Sequence, residues 1–444
     1  MAPPFDKKYC HINTKNFDVA CVGDIHGDPS VLIQTLESLR YGSSADNSVP
    51  LLVIPNDVKQ WANACDCSNN NTMLPLEAMK KIAFNVSSLH KPFVFVLLGD
   101  LLDNVRLKIE VHYGNELRGG MGFGNMGCGG PVTQLGMLMI LVQVHKVLKS
   151  KGGYVLWIAG NHDIANVDPT SLNAHICDKN APLLNAKIDK KSKVTPYPTC
   201  DANKGHAFSQ EHVDNVLSWM QQLPTFTMGT ITHIDALNNK KLYLLVHGYL
   251  SMSLLQAMIP HVGEKLQAAV MRATNTRDPV PVINMINTQF SPLFYLPDNK
   301  RQINARNSAL ALNQSLHPKT PWWCRAFENG AMIDDENDVP LNIGIDVVVK
   351  GHDVHAEPKH LTSQFSDGRT FEVYCMDTGS SVSMGPHNKV VARLLFSKDY
   401  DPEISVTKNM HSVYYGDQKI SPCMVSEKAA MGTHSKFLNI RRDT

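Results

Sequence analysis

Seven residues able to hold a metal or move a proton follow short apolar runs at wide intervals: Asp24, His26, Asp100, Asn161, His162, His247 and His352. The intervals are 100 − 24 = 76, 161 − 100 = 61, 247 − 161 = 86 and 352 − 247 = 105 residues. No single helix or hairpin joins residues so far apart, so each run must deliver one or two groups to a shared rim. Carboxylate, imidazole and amide oxygen together suit borderline divalent ions such as Mn, Fe or Zn. The set holds no thiolate, which argues against a structural zinc site of the cysteine type. One Gly-Asp or Gly-His-Asp after a strand is ordinarily a polar turn. Five such turns, each offering Asp, Asn or His, are hard to explain as turns alone.

The elements that must position these groups are short apolar runs rich in Val, Phe, Tyr and Ile. They cover residues 17–22, 93–98, 154–159, 242–246 and 346–350, and each ends in a polar turn containing Gly. Such runs predict buried strands, and their carboxyl ends are where open α/β sheets place ligands. Apolar periodicity predicts helices over 29–39, 132–148 and 252–273, with Pro260 expected to kink or split the last. Strands alternating with helices predict an α/β core. Residues 370–376 and 389–396 have no helix between them and read as adjacent strands, so the sheet is expected to be mixed or doubled into a sandwich. Polar stretches at 56–71, 105–130 and 168–204 read as insertions, and 114–130 alone carries eight glycines. This layout predicts a main domain over 15–400 and a C-terminal extension over 401–444.

In their order, Gly23-Asp24-Ile25-His26-Gly27, Gly99-Asp100-Leu101-Leu102-Asp103, Gly160-Asn161-His162-Asp163, His247-Gly248 and Gly351-His352 resemble the motifs of the calcineurin-like metallophosphoesterases. The resemblance is closest to the phosphoprotein phosphatase branch of Ser/Thr type. That branch includes bacterial- and viral-type relatives, and other relatives cleave dinucleoside polyphosphates. The resemblance implies a β-sandwich flanked by helices, with a dinuclear metal centre at the strand ends. It further implies that Asp24 and His26 hold one ion, that Asn161, His247 and His352 hold the other, and that Asp100 bridges both. His162 would be the general acid, oriented by Asp103.

That centre meets the needs of phosphoester hydrolysis. Water on a divalent ion has its pKa lowered toward about 7, and two ions about 3.5–4 Å apart can stabilise an in-line displacement. A histidine can return a proton to the leaving alkoxide. Phosphate oxygens also need cations. The branch places Arg directly after the Asp found here at 103, whereas this chain has Asn104, and Arg106 is the nearest guanidinium. Trp322-Trp323-Cys324-Arg325 resembles the Trp-x-Arg element that precedes the last His motif, so Arg325 is a second candidate for bidentate phosphate contact. The sequence Gly351-His352-Asp353-Val354-His355 has Val where the wider superfamily carries a second His, which the phosphatase branch also lacks.

Other classes fare worse. Asp377-Thr378-Gly379-Ser380 has the form of an aspartic-protease motif, but that chemistry needs two carboxylates and the chain has no second copy. A structural turn is the better reading. A pseudophosphatase scaffold is motivated by Asn104, while the complete ligand set argues against it. The preferred substrate is a phosphoprotein. A phosphorylated small molecule, nucleotide or dinucleoside polyphosphate is the alternative, and the 114–130 and 168–204 segments are expected to wall the cleft. With 42 basic and 41 acidic residues the net charge is +1, which gives no global pull toward nucleic acid or an anionic membrane. The apolar content of 43% supports a sizeable core and excludes a wholly disordered chain. Ten cysteines in 444 residues are no disulfide scaffold and point to a reducing compartment. The first residues lack the apolar stretch of a secretory signal. The longest apolar run, 135–142, falls short of the roughly 20 residues of a membrane span. The expected location is cytoplasmic, in the host cytoplasm if the source is a virus.

Overall fold

A computed structural model describes residues 6–41, 49–64, 74–85, 89–102, 111–113, 116–118, 131–168, 210–317, 319–324, 327–328, 331–332, 340, 342–353, 358–364, 370–378, 390–396 and 402–408. Among them, β1 (His11–Asn13), β2 (Asp18–Val22), β3 (Phe93–Leu97), β4 (Tyr154–Ile158), β5 (Thr225–Phe226) and β6 (Met228–Ile234) are followed by β7 (Lys240–Val246), β8 (Val347–Lys350), β9 (Lys359–Gln364), β10 (Thr370–Cys375), β11 (Val390–Phe396) and β12 (Glu403–Lys408). They form two six-stranded sheets, ordered β1-β6-β7-β8-β10-β9 and β5-β4-β3-β2-β11-β12. Both are mixed. In the first, β7, β8 and β10 run parallel while β6 and β9 pair antiparallel at their flanks. In the second, β5, β4, β3 and β2 run parallel, while β11 pairs antiparallel with both β2 and β12.

Strand alternation decides the layering, because successive side chains point to opposite faces. Val19, Cys21, Val94, Val96, Leu156 and Ile158 of one sheet pack with Tyr243, Leu245, Val347 and Val349 of the other in one buried cluster. That cluster is the seam between the sheets. The intervening residues Ala20, Val22, Phe95, Leu97, Leu244, Val246 and Val348 belong to a second cluster shared with the helices. Strands buried on both faces read as continuous apolar runs rather than alternating ones, which explains their appearance in the sequence.

The helices longer than one turn among the described residues are α1 (Pro29–Ser38), α2 (Asn56–Ala64), α3 (Pro131–Lys149), α4 (Asn161–Val167), α5 (Gln210–Met220), α6 (Met252–Val262), α7 (Glu264–Thr276), α8 (Val280–Phe290) and α9 (Lys300–Leu316). At the start of α1, the Asp28 carboxylate accepts from Ser30 N at 2.9 Å and Val31 N at 3.1 Å, with Pro29 in the first turn. No helix among the described residues is long and apolar enough to cross a membrane.

Three sequence expectations change. The 370–376 and 389–396 runs are not neighbours: β10 joins β8 in one sheet, and β11 pairs with β2 in the other. The strand that does pair beside β10 is the polar edge strand β9. Strand partners are chosen by nonlocal packing, which a local pattern does not carry. The 252–273 helix breaks at Gly263 (φ 80°), not at Pro260, which lies inside the last turn of α6. Finally, the first half of the polar 56–71 stretch is helix α2, which buries Val58, Trp61 and Ala62.

Candidate metal centre

The two sets of parallel strands bring their carboxyl ends to one rim. Register pairs Val22 with Leu97, and Leu97 with Trp157. The turns after β2, β3 and β4 therefore start level and carry Asp24 and His26, Asp100, and Asn161 with His162. Across the seam, Val246 pairs with Lys350 and Lys350 with Cys375. The ends of β7, β8 and β10 accordingly carry His247, His352 and Asp377. Backbone bonds sew the turns together: Ile25 N and His26 N donate to Asp100 O at 3.2 and 2.7 Å, and Gly27 N donates to Leu101 O at 2.8 Å.

The backbone at this rim is strained. His26, Asp100 and His352 have φ of 52°, 44° and 68°, and they are three of the five non-glycine residues with positive φ among those described. Side chains resist this left-handed region, and residues held there gather at functional sites. Gly99 also has positive φ (103°), and a Cβ there would run into the His247 ring. Only glycine lets β3 end so close to that imidazole.

Asp24, His26, Asp100, Asn161 and His247 are all under 5% exposed, and His352 is 9% exposed. Asp100 Oδ2 lies 3.3 Å from His247 Nε2 and 3.7 Å from His162 Nε2. Asp24 lies 3.8 Å from His26 Nε2 and 3.7 Å from His247 Nδ1. Asn161 Oδ1 sits 3.0 Å from both His247 Nε2 and His352 Nδ1. Three groups present one ligating atom from each member, all within 4.8 Å of one another: His26 with Asp100 and His162; Asp100 with His247 and His352; and Asp24 with His26 and Asp377.

The donor set fits a cation. Leu98 O can only accept, so His247 Nδ1, 2.8 Å away, carries the proton and donates it. In the neutral ring Nε2 then presents a lone pair to Asn161 Oδ1 and Asp100 Oδ2, which are themselves acceptors. A positive ion among these atoms, or a second proton, reconciles them. The carbonyl bond to Nδ1 is the second contact that metal-ligating histidines ordinarily make.

Electrostatics divides the rim. Burial, then the Asp377 and Asp100 carboxylates, push Asp24 well above the ordinary carboxylate range. Burial also acts on Asp100, but the imidazoles of His247, His162 and His26 overcome it and hold that carboxyl well below its ordinary value. One side of the rim is thus rich in carboxylate and the other in imidazole.

Two further residues shape the site. Asp163 is fully buried, and its carboxylate accepts from Leu102 N at 2.9 Å, Gly160 N at 2.9 Å and Trp157 Nε1 at 3.0 Å. It ties the turn after β3 to the start of α4. Burial, then Asp100, push its carboxyl up to about 7. The His162 backbone N–H donates to Asp100 Oδ1 at 2.9 Å, and the His162 side chain is 12% exposed. It therefore reaches toward solvent more than the deeper histidines do.

The structure brings together all six residues expected as ligands, with His162 beside them. Asp103, Asn104, Arg106, Arg325 and His355 lie outside the described residues. The segment leading to Arg325 does reach the rim, since the Trp323 ring meets His352 edge-on at 5.8 Å. Asp377, a turn residue by its sequence pattern, is buried beside Asp24 and His26. The signal that marks the others, an Asp, Asn or His near Gly at the end of an apolar run, is also present at Asp377.

No family model matches the chain, and no curated protein matches it. Solved structures similar to it include a point mutant of a cold-active protein tyrosine phosphatase, at 13% identity over 90% of this chain and 82% of that one, TM-score 0.42. The cold-active protein-tyrosine phosphatase of a psychrophilic Shewanella species is similar at 14% identity over 90% and 82%, TM-score 0.41. The phosphatase domain of the Legionella effector WipB is similar at 11% identity over 75% of this chain and 98% of that one, TM-score 0.35. Likeness at these scores decides neither a family nor a reaction.

Proposed function

We propose that this protein is a metal-dependent phosphoesterase that hydrolyses phosphomonoesters, with Ser/Thr-type phosphoproteins as its substrates. One observation carries this reading: Asp24, His26, Asp100, Asn161, His247 and His352 converge, buried, from the ends of five strands in two sheets. Asp24 and His26 would hold one divalent ion, Asn161, His247 and His352 a second, and Asp100 would serve both, with Mn, Fe or Zn suited to these donors. Bound there, the ions would supply a nucleophilic water at neutral pH and neutralise charge on the phosphate oxygens. The chain's own groups do the rest. Leu98 O fixes the His247 tautomer. Asp100 Oδ1 holds the His162 backbone, so that the partly exposed imidazole can deliver a proton to the leaving alkoxide. Asp163 keeps the turns carrying Asp100 and His162 in one arrangement.

The test is metal content together with p-nitrophenyl phosphate turnover, on chelator-stripped protein with and without Mn²⁺. About two ions per chain and turnover that depends on them are expected. Metal binding without turnover on this ester, but with cleavage of a dinucleoside polyphosphate into two nucleotides, would replace the monoester reading with the anhydride one. Absence of both metal and turnover would refute a metal-dependent phosphoesterase.

A further inference from the structure

The six expected ligands include two carboxylates, Asp24 and Asp100. The fold adds a third. Asp377 follows β10, whose Cys375 is level with Lys350 of β8, and it is fully buried. The close approach is built into the backbone: a Cβ on Gly23 would collide with the Met376 carbonyl, so the ends of β2 and β10 press together only because residue 23 is glycine. That contact sets Asp24 and Asp377 side by side. Donor atoms of Asp24, His26 and Asp377 then lie within 4.8 Å of one another. Two buried carboxylates and an imidazole at this spacing form a mixed oxygen and nitrogen set, of the kind that suits a divalent cation.

We propose that Asp377 is a further ligand of the ion held by Asp24 and His26, and that the two halves of the centre are therefore chemically unequal. The inference rests on the metal-dependent reading above. One half offers Asp24, Asp377 and the shared Asp100 with a single imidazole, His26. The other offers His247, His352 and Asn161 with Asp100. Carboxylate suits harder ions such as Mn²⁺, and imidazole suits Zn²⁺ or Fe²⁺. The Asp377 half takes Mn²⁺ in preference, and the imidazole half takes Zn²⁺.

Titrating the chelator-stripped full chain with Mn²⁺ alone, by calorimetry and by spin resonance of free Mn²⁺, tests this without reference to activity. In Asp377→Asn, one Mn²⁺ is expected to weaken at least tenfold and the other to stay within about twofold, the halves sharing only Asp100. Two ions bound with unchanged affinity would overturn the proposal while leaving the phosphoesterase reading intact. A wild-type chain that binds no Mn²⁺ would overturn the proposal, and one that binds none of Mn²⁺, Zn²⁺ or Fe²⁺ would overturn that reading as well. Should Asp377→Asn fail to fold, anomalous diffraction from Mn²⁺-soaked wild-type crystals decides the matter. An Asp377 oxygen within about 2.0–2.6 Å of an Mn²⁺ peak is expected, and a carboxylate outside that range of every peak overturns the proposal.

Discussion

At Asp100 a left-handed backbone (φ 44°) turns one carboxylate toward the His247 and His162 imidazoles, while its carbonyl accepts from Ile25 and His26. Asp100→Asn keeps the shape and removes the charge, so it is expected to release metal as well as abolish turnover. His162 raises a sharper question, because it stands both as the expected proton donor and within ligating reach of His26 and Asp100. As an acid, His162→Asn retains both ions and lowers kcat by about 10²–10⁴-fold. As a ligand, it loses metal in proportion to activity. Elemental analysis of the purified variant beside its turnover separates the two. These residue types and their order are legible in the sequence. Asp377 is noticed there only as part of an Asp-Thr-Gly turn with an ordinary structural explanation, and its burial beside Asp24 and His26 is visible only in the fold.

At the level of elements, two ties hold the layers that carry the rim. Helix α3 meets β4 through His145, whose Nδ1 accepts from Val155 N at 3.2 Å. Burial, with Lys149 and Lys146 nearby, lowers the His145 pKa from 6.5 to about 4. The unfolded chain therefore binds a proton near pH 6.5 that the folded chain refuses until about pH 4. Stability from this residue is present above pH 6.5 and is lost as pH falls toward 4. Its loss amounts to roughly 2–3 kcal/mol. Denaturant midpoints across that range are expected to drop for the wild type, and the slope to flatten in His145→Asn. The second tie is Arg306 of α9, whose buried guanidinium donates to Leu293 O at 2.7 Å and to Val167 O at the end of α4. Arg306→Met keeps much of the packing and strands these carbonyls. A loss of about 2–3 kcal/mol is expected by chemical denaturation, with metal content unchanged. Helices α1, α3 and the α6–α7 pair are legible as apolar periodicity, whereas these ties join different elements through single side chains, one of them 139 positions from its partner, and no local pattern marks them.

For the whole molecule, the centre is a joint between two sheets. Asp24, His26, Asp100, Asn161 and His162 come from one, and His247, His352 and Asp377 from the other. An ion bound there stabilises the sandwich by mass action, by about 2.7 kcal/mol for each ion present at a hundred times its dissociation constant. Thermal melts are therefore expected to shift upward with Mn²⁺ and downward with chelator. Asp100→Asn, lacking the carboxylate proposed to serve both ions, is expected to show little shift. A wild-type melting temperature indifferent to both additions would contradict a metal seated between the sheets.

Seven of the twelve strands of the two sheets, the helices α1, α3 and the α6–α7 pair, and the polar groups at the strand ends can be read from local sequence, since burial on both faces and the need for glycine at tight turns leave local marks. So can the chemistry on offer, because carboxylate, imidazole and amide are properties of the residues alone. The short or edge strands β1, β5, β9 and β12, the strand β6 and the helices α5, α8 and α9 are not legible there. Folding in three dimensions was needed to establish which strands became neighbours, that the 370–376 and 389–396 runs belong to different sheets, and that Asp377 lies beside Asp24. Those outcomes depend on contacts among residues from 25 to more than three hundred positions apart, where the energy of packing one face on another, and not any local preference, selects the arrangement.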